Sequence, residues 1–145
     1  MRSPMQVMMD NLNQLESDQA LEEMVFELYA PDATFEDPLQ QVRGRKAIVG
    51  VYRDLVKIFP ELNAVMKREV RTEHAHVAEW DMTFKSRFWP KAITISGTTW
   101  LEVDHKRMIL AHKDYWDLWQ FVRRAVTLPE ALVERLPEPL RHLLT

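Results

Sequence analysis

The stretch LYAPDATFEDPLQQVRGRKAIVGVYRDL, residues 28–55, decides how this chain is read. It opens where an amphipathic segment ends. Ser17 and Asp18 are suited to cap a helix whose apolar stripe is Leu21, Val25, Leu28 and Tyr29. Pro31 and Pro38 then interrupt the pattern and bracket a short predicted strand at Thr34–Glu36. After Gly44, the residues Ile48, Val51, Tyr52, Leu55, Ile58 and Phe59 recur at spacings of three and four. This predicts a long helix that Pro60 terminates.

Toward the N-terminus, Ser3-Pro4 supplies a cap and a first-turn proline. Met5, Met8, Met9, Leu12 and Leu15 at helical spacing then predict a first helix over 4–16. Toward the C-terminus the apolar period shortens to two, predicting strands at 62–72, 74–86, 92–103 and 107–117. FWPK at 88–91 and DHKR at 104–107 are the turns between the later strands, which makes the sheet a meander. LWQFVRRAV after Asp117 reads as one further helix. Pro129, Pro137 and Pro139 punctuate a leucine-rich helical extension at 129–145 that packs on the domain or across a dimer, with a peripheral membrane anchor as the lesser alternative. The organisation is one domain over 1–128 plus that extension. Helices segregated from a mostly antiparallel sheet make an α+β class. A curved sheet wrapped around N-terminal helices encloses a cone able to take a small molecule.

Composition narrows the chemistry. The 145 residues carry a net charge of −3, with 46% hydrophobic and 28% charged residues, a globular composition without the basic surface that nucleic acid requires. With no cysteine, thiolate catalysis, disulfides and thiolate-bound metal drop out. No apolar run approaches a bilayer span and no signal-peptide core is evident, so a cytoplasmic protein is expected. The three glycines, Gly44, Gly50 and Gly97, form no phosphate-cradling loop, and no GxSxG elbow occurs. Chemistry without a cofactor is the expectation.

MILAHKDYWDLW, residues 108–119, places ionisable groups in an otherwise buried-looking strand. By strand alternation Leu110, His112, Asp114 and Trp116 share one face, and Ala111, Lys113, Tyr115 and Asp117 the other. A histidine beside an aspartate under an indole is a usable proton shuttle, and equally a structural ion pair. Tyr115 and Asp117 read as sheet or dimer packing. Trp80 and Trp100 either line a pocket or fill the core. His74 and His76 share a strand face as a weak metal pair with no third ligand in view, so no metal site is assigned.

Taken together, the helix ending in aromatic-x-x-Asp-Ala-Thr, the Glu-Asp-Pro strand and the Gly-Arg opening of a long helix resemble the NTF2-like superfamily. This group includes ketosteroid isomerases, SnoaL-type polyketide cyclases and limonene epoxide hydrolases. HKDYWDLWQFVRRAVTLP, residues 112–129, is similar to the last strand and C-terminal segment of the epoxide hydrolases. The resemblance implies the cone fold, often a homodimer packed through the sheet, and a small hydrophobic ligand of steroid, polyketide, terpenoid or lipid type. Isomerisation, cyclisation or dehydration is the first expectation; non-catalytic binding and epoxide hydrolysis are the alternatives.

The resemblance also implies site residues. Asp37 matches the isomerase general base, with Phe35, Pro38 and Leu39 as an apolar setting. The two oxyanion donors fall near Asn13 and Thr99, neither of which is the family's tyrosine or aspartic acid. Tyr29, Tyr52, Tyr115 or the Trp100 indole are the candidate substitutes. Asp114 matches the final-strand aspartate of the epoxide hydrolases. Asp81 is the candidate second aspartate of their Asp–Arg–Asp set, but Glu79 stands where the arginine is expected and Asp37 where an asparagine is. Asp81 either joins the site or faces outward. The expected site is therefore Asp37, His112 and Asp114 for proton transfer, with Asn13, Tyr29, Tyr52, Trp80, Thr99, Trp100 and Trp116 around the substrate.

Overall fold

The computed structural model describes residues 2–14, 17–85, 91–125, 134, 135, 137 and 138. Its elements follow in chain order as α1 (Pro4–Asn13), α2 (Asp18–Leu28), β1 (Tyr29–Asp37), β2 (Gln40–Arg43), α3 (Arg45–Ile58), β3 (Glu61–Arg71), β4 (Ala75–Lys85), β5 (Ile93–Val103), β6 (Ile109–Trp116) and α4 (Leu118–Ala125). The class is α+β. The six strands form one curved, open sheet in the order β2-β1-β6-β5-β4-β3, with β1 and β6 parallel and every other pair antiparallel.

Local chemistry accounts for the element ends. Ser3 Oγ accepts from the Gln6 amide and Ser17 Oγ from the Ala20 amide, capping α1 and α2 with Pro4 in the first turn of α1. Gly44, at φ 91° and ψ 153°, sets the entry angle of α3 in a region open essentially to glycine alone. Asp117 Oδ1 accepts from the Trp119 and Gln120 amides and starts α4, so this aspartate caps a helix and is not part of the sheet packing.

The burial alternation in β4 and β5 sets which face looks inward: His76, Ala78, Trp80, Met82 and Phe84 from β4, and Ile93, Ile95, Gly97, Thr99, Leu101 and Val103 from β5. The apolar side chains among these pack with Met5, Met8, Met9 and Leu12 of α1 and Ile48, Val51 and Tyr52 of α3 in one core.

The structure departs from the sequence reading at several places. The strand expected at Thr34–Glu36 extends over the whole of β1 and turns back as β2, which was not expected. Asp37 Oδ1 accepts from the Leu39 and Gln40 amides and closes that hairpin. β2 is almost wholly solvent-facing, so it has no apolar alternation to read. Leu110 does not share the inward face. Glu102 pairs with Ala111 while Val103 pairs with Ile109, and the extra residue at this bulge turns Leu110 outward and Ile109 inward. His74 and His76 do not pair on one face. Thr72 Oγ1 accepts from the His74 and Ala75 amides and makes a turn there, which leaves His74 exposed and His76 buried. α1 ends at Asn13, short of the expected 16. The turn at 88–91 lies outside the described residues except Lys91, and the extension at 129–145 lies outside them except 134, 135, 137 and 138. Among the described residues no helix is long and apolar enough to cross a membrane.

Candidate functional site

Between α1, α3, α4 and the concave face of the sheet lies a cavity of about 390 Å³. Its walls are apolar: Met5, Met8, Met9 and Leu12 from α1, Val51 and Leu55 from α3, and Trp80, Met82, Phe84 and Ile95 from the sheet. Phe121 of α4 closes one side, its ring edge-on to those of Phe59, Phe84 and Trp116. Asp37, Leu39, Gln40 and Asp54 sit at the rim, and Tyr52, Thr99, His112 and Asp114 supply the polar atoms within.

Those inner groups form one continuous hydrogen-bonded chain. Tyr52 and Tyr29 hydroxyls meet at 2.7 Å, and Tyr29 Oη lies 2.7 Å from His112 Nδ1. His112 Nε2 lies 2.7 Å from Asp114 Oδ1, which also accepts from Thr99 Oγ1 at 2.5 Å. Thr99 in turn accepts from the Trp80 indole N–H at 2.7 Å. At the other end the Tyr52 hydroxyl donates to Met8 Sδ at 3.1 Å. His112 is only 3% exposed, with the Phe35 ring 4.5 Å from its own.

The fold brings these side chains together through register. β5 and β6 pair Leu101 with His112 and Thr99 with Asp114, and β4 pairs Ala78 with Thr99 and Trp80 with Gly97. Gly97 is required there because a Cβ would lie 2.4 Å from Cη2 and Cζ2 of the Trp80 ring. The parallel pairing of Phe35 with His112 sets β1 beside the same point, and a register shift between Tyr29 and Thr34 carries Tyr29 under the histidine.

Burial pushes the phenols of both Tyr29 and Tyr52 well above their ordinary value, with the Asp114 charge adding to the rise in each case. For Tyr29 the neighbouring Tyr52 adds further. Both tyrosines are therefore held as neutral phenols that donate and accept hydrogen bonds.

Of the residues expected around a substrate, Tyr52, Trp80, Thr99, His112, Asp114 and Trp116 line the cavity, and Asp37 reaches its rim. Asp37 is occupied with the hairpin: Oδ1 accepts two backbone amides, and Oδ2 accepts Gln40 Nε2 at 3.1 Å. Tyr29 is fully buried behind Tyr52 and His112 and touches the cavity only through them.

Asn13 and Trp100 do not belong to the cavity. The Asn13 amide is spent on the Ala64 backbone, donating at 2.8 Å and accepting at 2.6 Å. Trp100 lies on the convex face, 49% exposed, because it is one strand position from Thr99. Asp81 faces outward as well, accepting from Ser96 Oγ at 2.6 Å beside Lys67 at 3.6 Å, and Glu79 is held by Arg68 and Lys67. Asp54, Phe59 and Phe121 were missed as lining residues: the spacing of Phe59 and Phe121 reads equally well as ordinary core, and Asp54 is an exposed helix residue with no signal of its own.

Among the described residues no group of three histidine or acidic side chains is placed to hold a metal. No curated protein matches this sequence. Solved structures do match the fold. An NTF2-like protein of unknown function from Exiguobacterium sp. 255-15 superposes with a TM-score of 0.70 at 16% identity, over 80% of this chain and 99% of that one. A proposed SnoaL-like polyketide cyclase from Jannaschia sp. CCS1 gives 0.67 at 15% identity, over 89% and 99%. An LEH-like epoxide hydrolase from M. tuberculosis gives 0.64 at 15%, over 81% and 82%. At these identities the likeness speaks for the fold alone. Residues 10–111, well over half the chain, match the family model of the SnoaL-like domain, and the chain is a member of that family, within the NTF2-like fold.

Proposed function

We propose that this protein carries out cofactor-independent proton transfer on a small apolar carbonyl or hydroxyl compound, of the isomerase, cyclase or dehydratase type, inside the cone. One observation carries the reading: an aspartate lines a mostly apolar cavity with one oxygen fixed by Thr99 and His112, while Oδ2 has no partner among the described residues. Asp114 is the base. Thr99 and His112 orient it, and the neutral phenol of Tyr52 donates to the substrate oxygen on which charge develops. Tyr29 positions His112. Asp37 takes no direct part in this reading because its oxygens hold the β1–β2 turn.

Turnover assays on a panel of enones, hydroxy-ketones and small epoxides test it. Asp114→Asn is expected to lose activity by about a hundredfold or more, while Asp37→Asn, which keeps the turn, stays within a fewfold of wild type. The reverse order would return the base to Asp37. Epoxide hydrolysis finds less support, since Asp81 points away and the Asp–Arg–Asp set does not assemble among the described residues.

The thioethers of Met5, Met8, Met9 and Met82 favour a second reading, ligand holding without reaction, because such walls adapt to varied apolar shapes. Retained ligand in native mass spectrometry with no turnover of it would select that reading. The convex face, with Val65, Val70, Trp100 and Tyr115 exposed, is the surface on which the homodimer implied by the family resemblance would form. Light scattering of the purified chain decides its oligomeric state.

A further inference from the structure

The hydrogen-bond capacity around the cavity is uneven. The donors that surround Asp114 in the buried polar chain are already committed: the Trp80 N–H to Thr99, the Thr99 O–H to Asp114, and His112 Nε2–H to the same carboxylate. The Tyr29 hydroxyl is shared between His112 and Tyr52. The Tyr52 hydroxyl reaches a weak partner, the Met8 thioether sulfur, beside its contact with the Tyr29 hydroxyl. The unspent capacity of this chain is an acceptor, the second oxygen of Asp114, whose side chain keeps 17% of its surface open.

Charge is uneven in the same sense. The cavity and its rim carry Asp37, Asp54 and Asp114, and no lysine or arginine lines it among the described residues. Lys113, next to Asp114 in sequence, points to the convex face, 3.5 Å from Glu36 and over the Tyr115 ring. An anionic head group brought inside would meet a carboxylate, find no cation, and lose its hydration. A hydroxyl or ammonium head would satisfy Asp114, and the Trp80 and Trp116 rings lining the same hollow suit a cation further.

We infer that the ligand of this cavity is an apolar molecule that presents an O–H or N–H donor to Asp114, uncharged or cationic, and that anionic ligands are excluded. This deepens the acid/base reading, which supplies the role of Asp114, by narrowing its substrates to hydroxyl- or amine-bearing compounds, so that the hydroxy-ketones of the panel are favoured over the enones. A binding assay tests it without turnover. Three probes share one adamantane cage and differ only in the head group: 1-adamantanemethanol, 1-adamantanemethylamine and 1-adamantanecarboxylate. Titration calorimetry on the full chain is expected to show the alcohol and amine binding and the carboxylate at least about tenfold weaker.

In Asp114→Asn the amine is expected to lose about tenfold or more and the gap to the carboxylate to close. Circular dichroism and the melting temperature show whether that variant is folded; if it is not, the wild-type comparison of the three probes still decides. A carboxylate that binds as tightly as the alcohol overturns the inference and leaves the proposed chemistry standing. Binding of none of the three overturns the ligand class, whereas selective binding with no turnover of any panel compound sinks only the catalytic reading.

Discussion

Single side chains carry more of this site than their types suggest. Removing the Tyr29 hydroxyl strands His112 Nδ1 and one partner of Tyr52 in a dry interior. Tyr29→Phe is therefore expected to cost about 1–3 kcal/mol in urea denaturation, although residue 29 does not line the cavity. Gly97→Ala forces its new methyl into the Trp80 ring and is expected to cost about 1–3 kcal/mol. It should also change the tryptophan emission as the indole leaves Thr99.

Among the described residues, His76 is a buried ionisable group outside the site. Burial holds its pKa below the ordinary 6.5, Glu69 opposes that shift, and Arg71 and Arg107 add to it. Its Nδ1 and Glu69 Oε1 are both buried without a hydrogen-bond partner. The unfolded chain takes up this proton near 6.5 while the folded chain resists it. The associated stability is thus full above that pH and is lost as pH falls through it toward the lower folded value. Denaturant melts of His76→Gln between pH 7.5 and 5 are expected to show a shallower loss of stability than wild type.

At the scale of elements, α1 acts as one wall of the cavity, and Asn13 is what ties its end to β3. Asn13→Ala leaves the Ala64 N–H and C=O without these partners. It is expected to cost about 1–3 kcal/mol and to speed amide exchange across α1, measured by hydrogen exchange with mass spectrometry. Helices α1, α2 and α3 were legible because their caps and apolar stripes are local: Ser3, Ser17 and the spacing from Ile48 to Phe59 need no knowledge of the rest of the chain. The long strands β4 and β5 were legible for the same reason, with Ala78, Trp80, Met82 and Phe84 alternating against polar neighbours. β2 and the bulge at Leu110 were not. β2 has no apolar face, and a bulge is a fact about the pairing of two strands, visible in neither strand alone.

Across the whole molecule, a cavity that binds only in the folded state couples occupancy to stability. A donor-bearing ligand at a hundred times its Kd is expected to stabilise the chain by about 2.7 kcal/mol, read as a rise in melting temperature. The candidate site follows the same division between local and global information. His112 and Asp114 were identifiable as ionisable residues two apart in an apolar strand, and Tyr52 and Tyr29 as alternative donors. Their joining into one chain was not, because residues 29, 52, 99 and 112 meet only when β1, α3, β5 and β6 converge. Asn13 and Trp100 were misplaced for a related reason: a one-position change in helix end or strand face reverses what a side chain touches.

The sequence by itself determined the helices and the long strands, the α+β class and the pairing of an imidazole with a carboxylate on β6, since each rests on periodicities and caps acting over a few residues. Only the tertiary structure decided that Asp114 lines a mostly apolar cavity with one oxygen held by Thr99 and His112, that Asp37 is spent on a turn, and that Asp81 faces solvent. Those outcomes depend on register and curvature, which are set by the packing of all six strands against the helices and by no local run of residues.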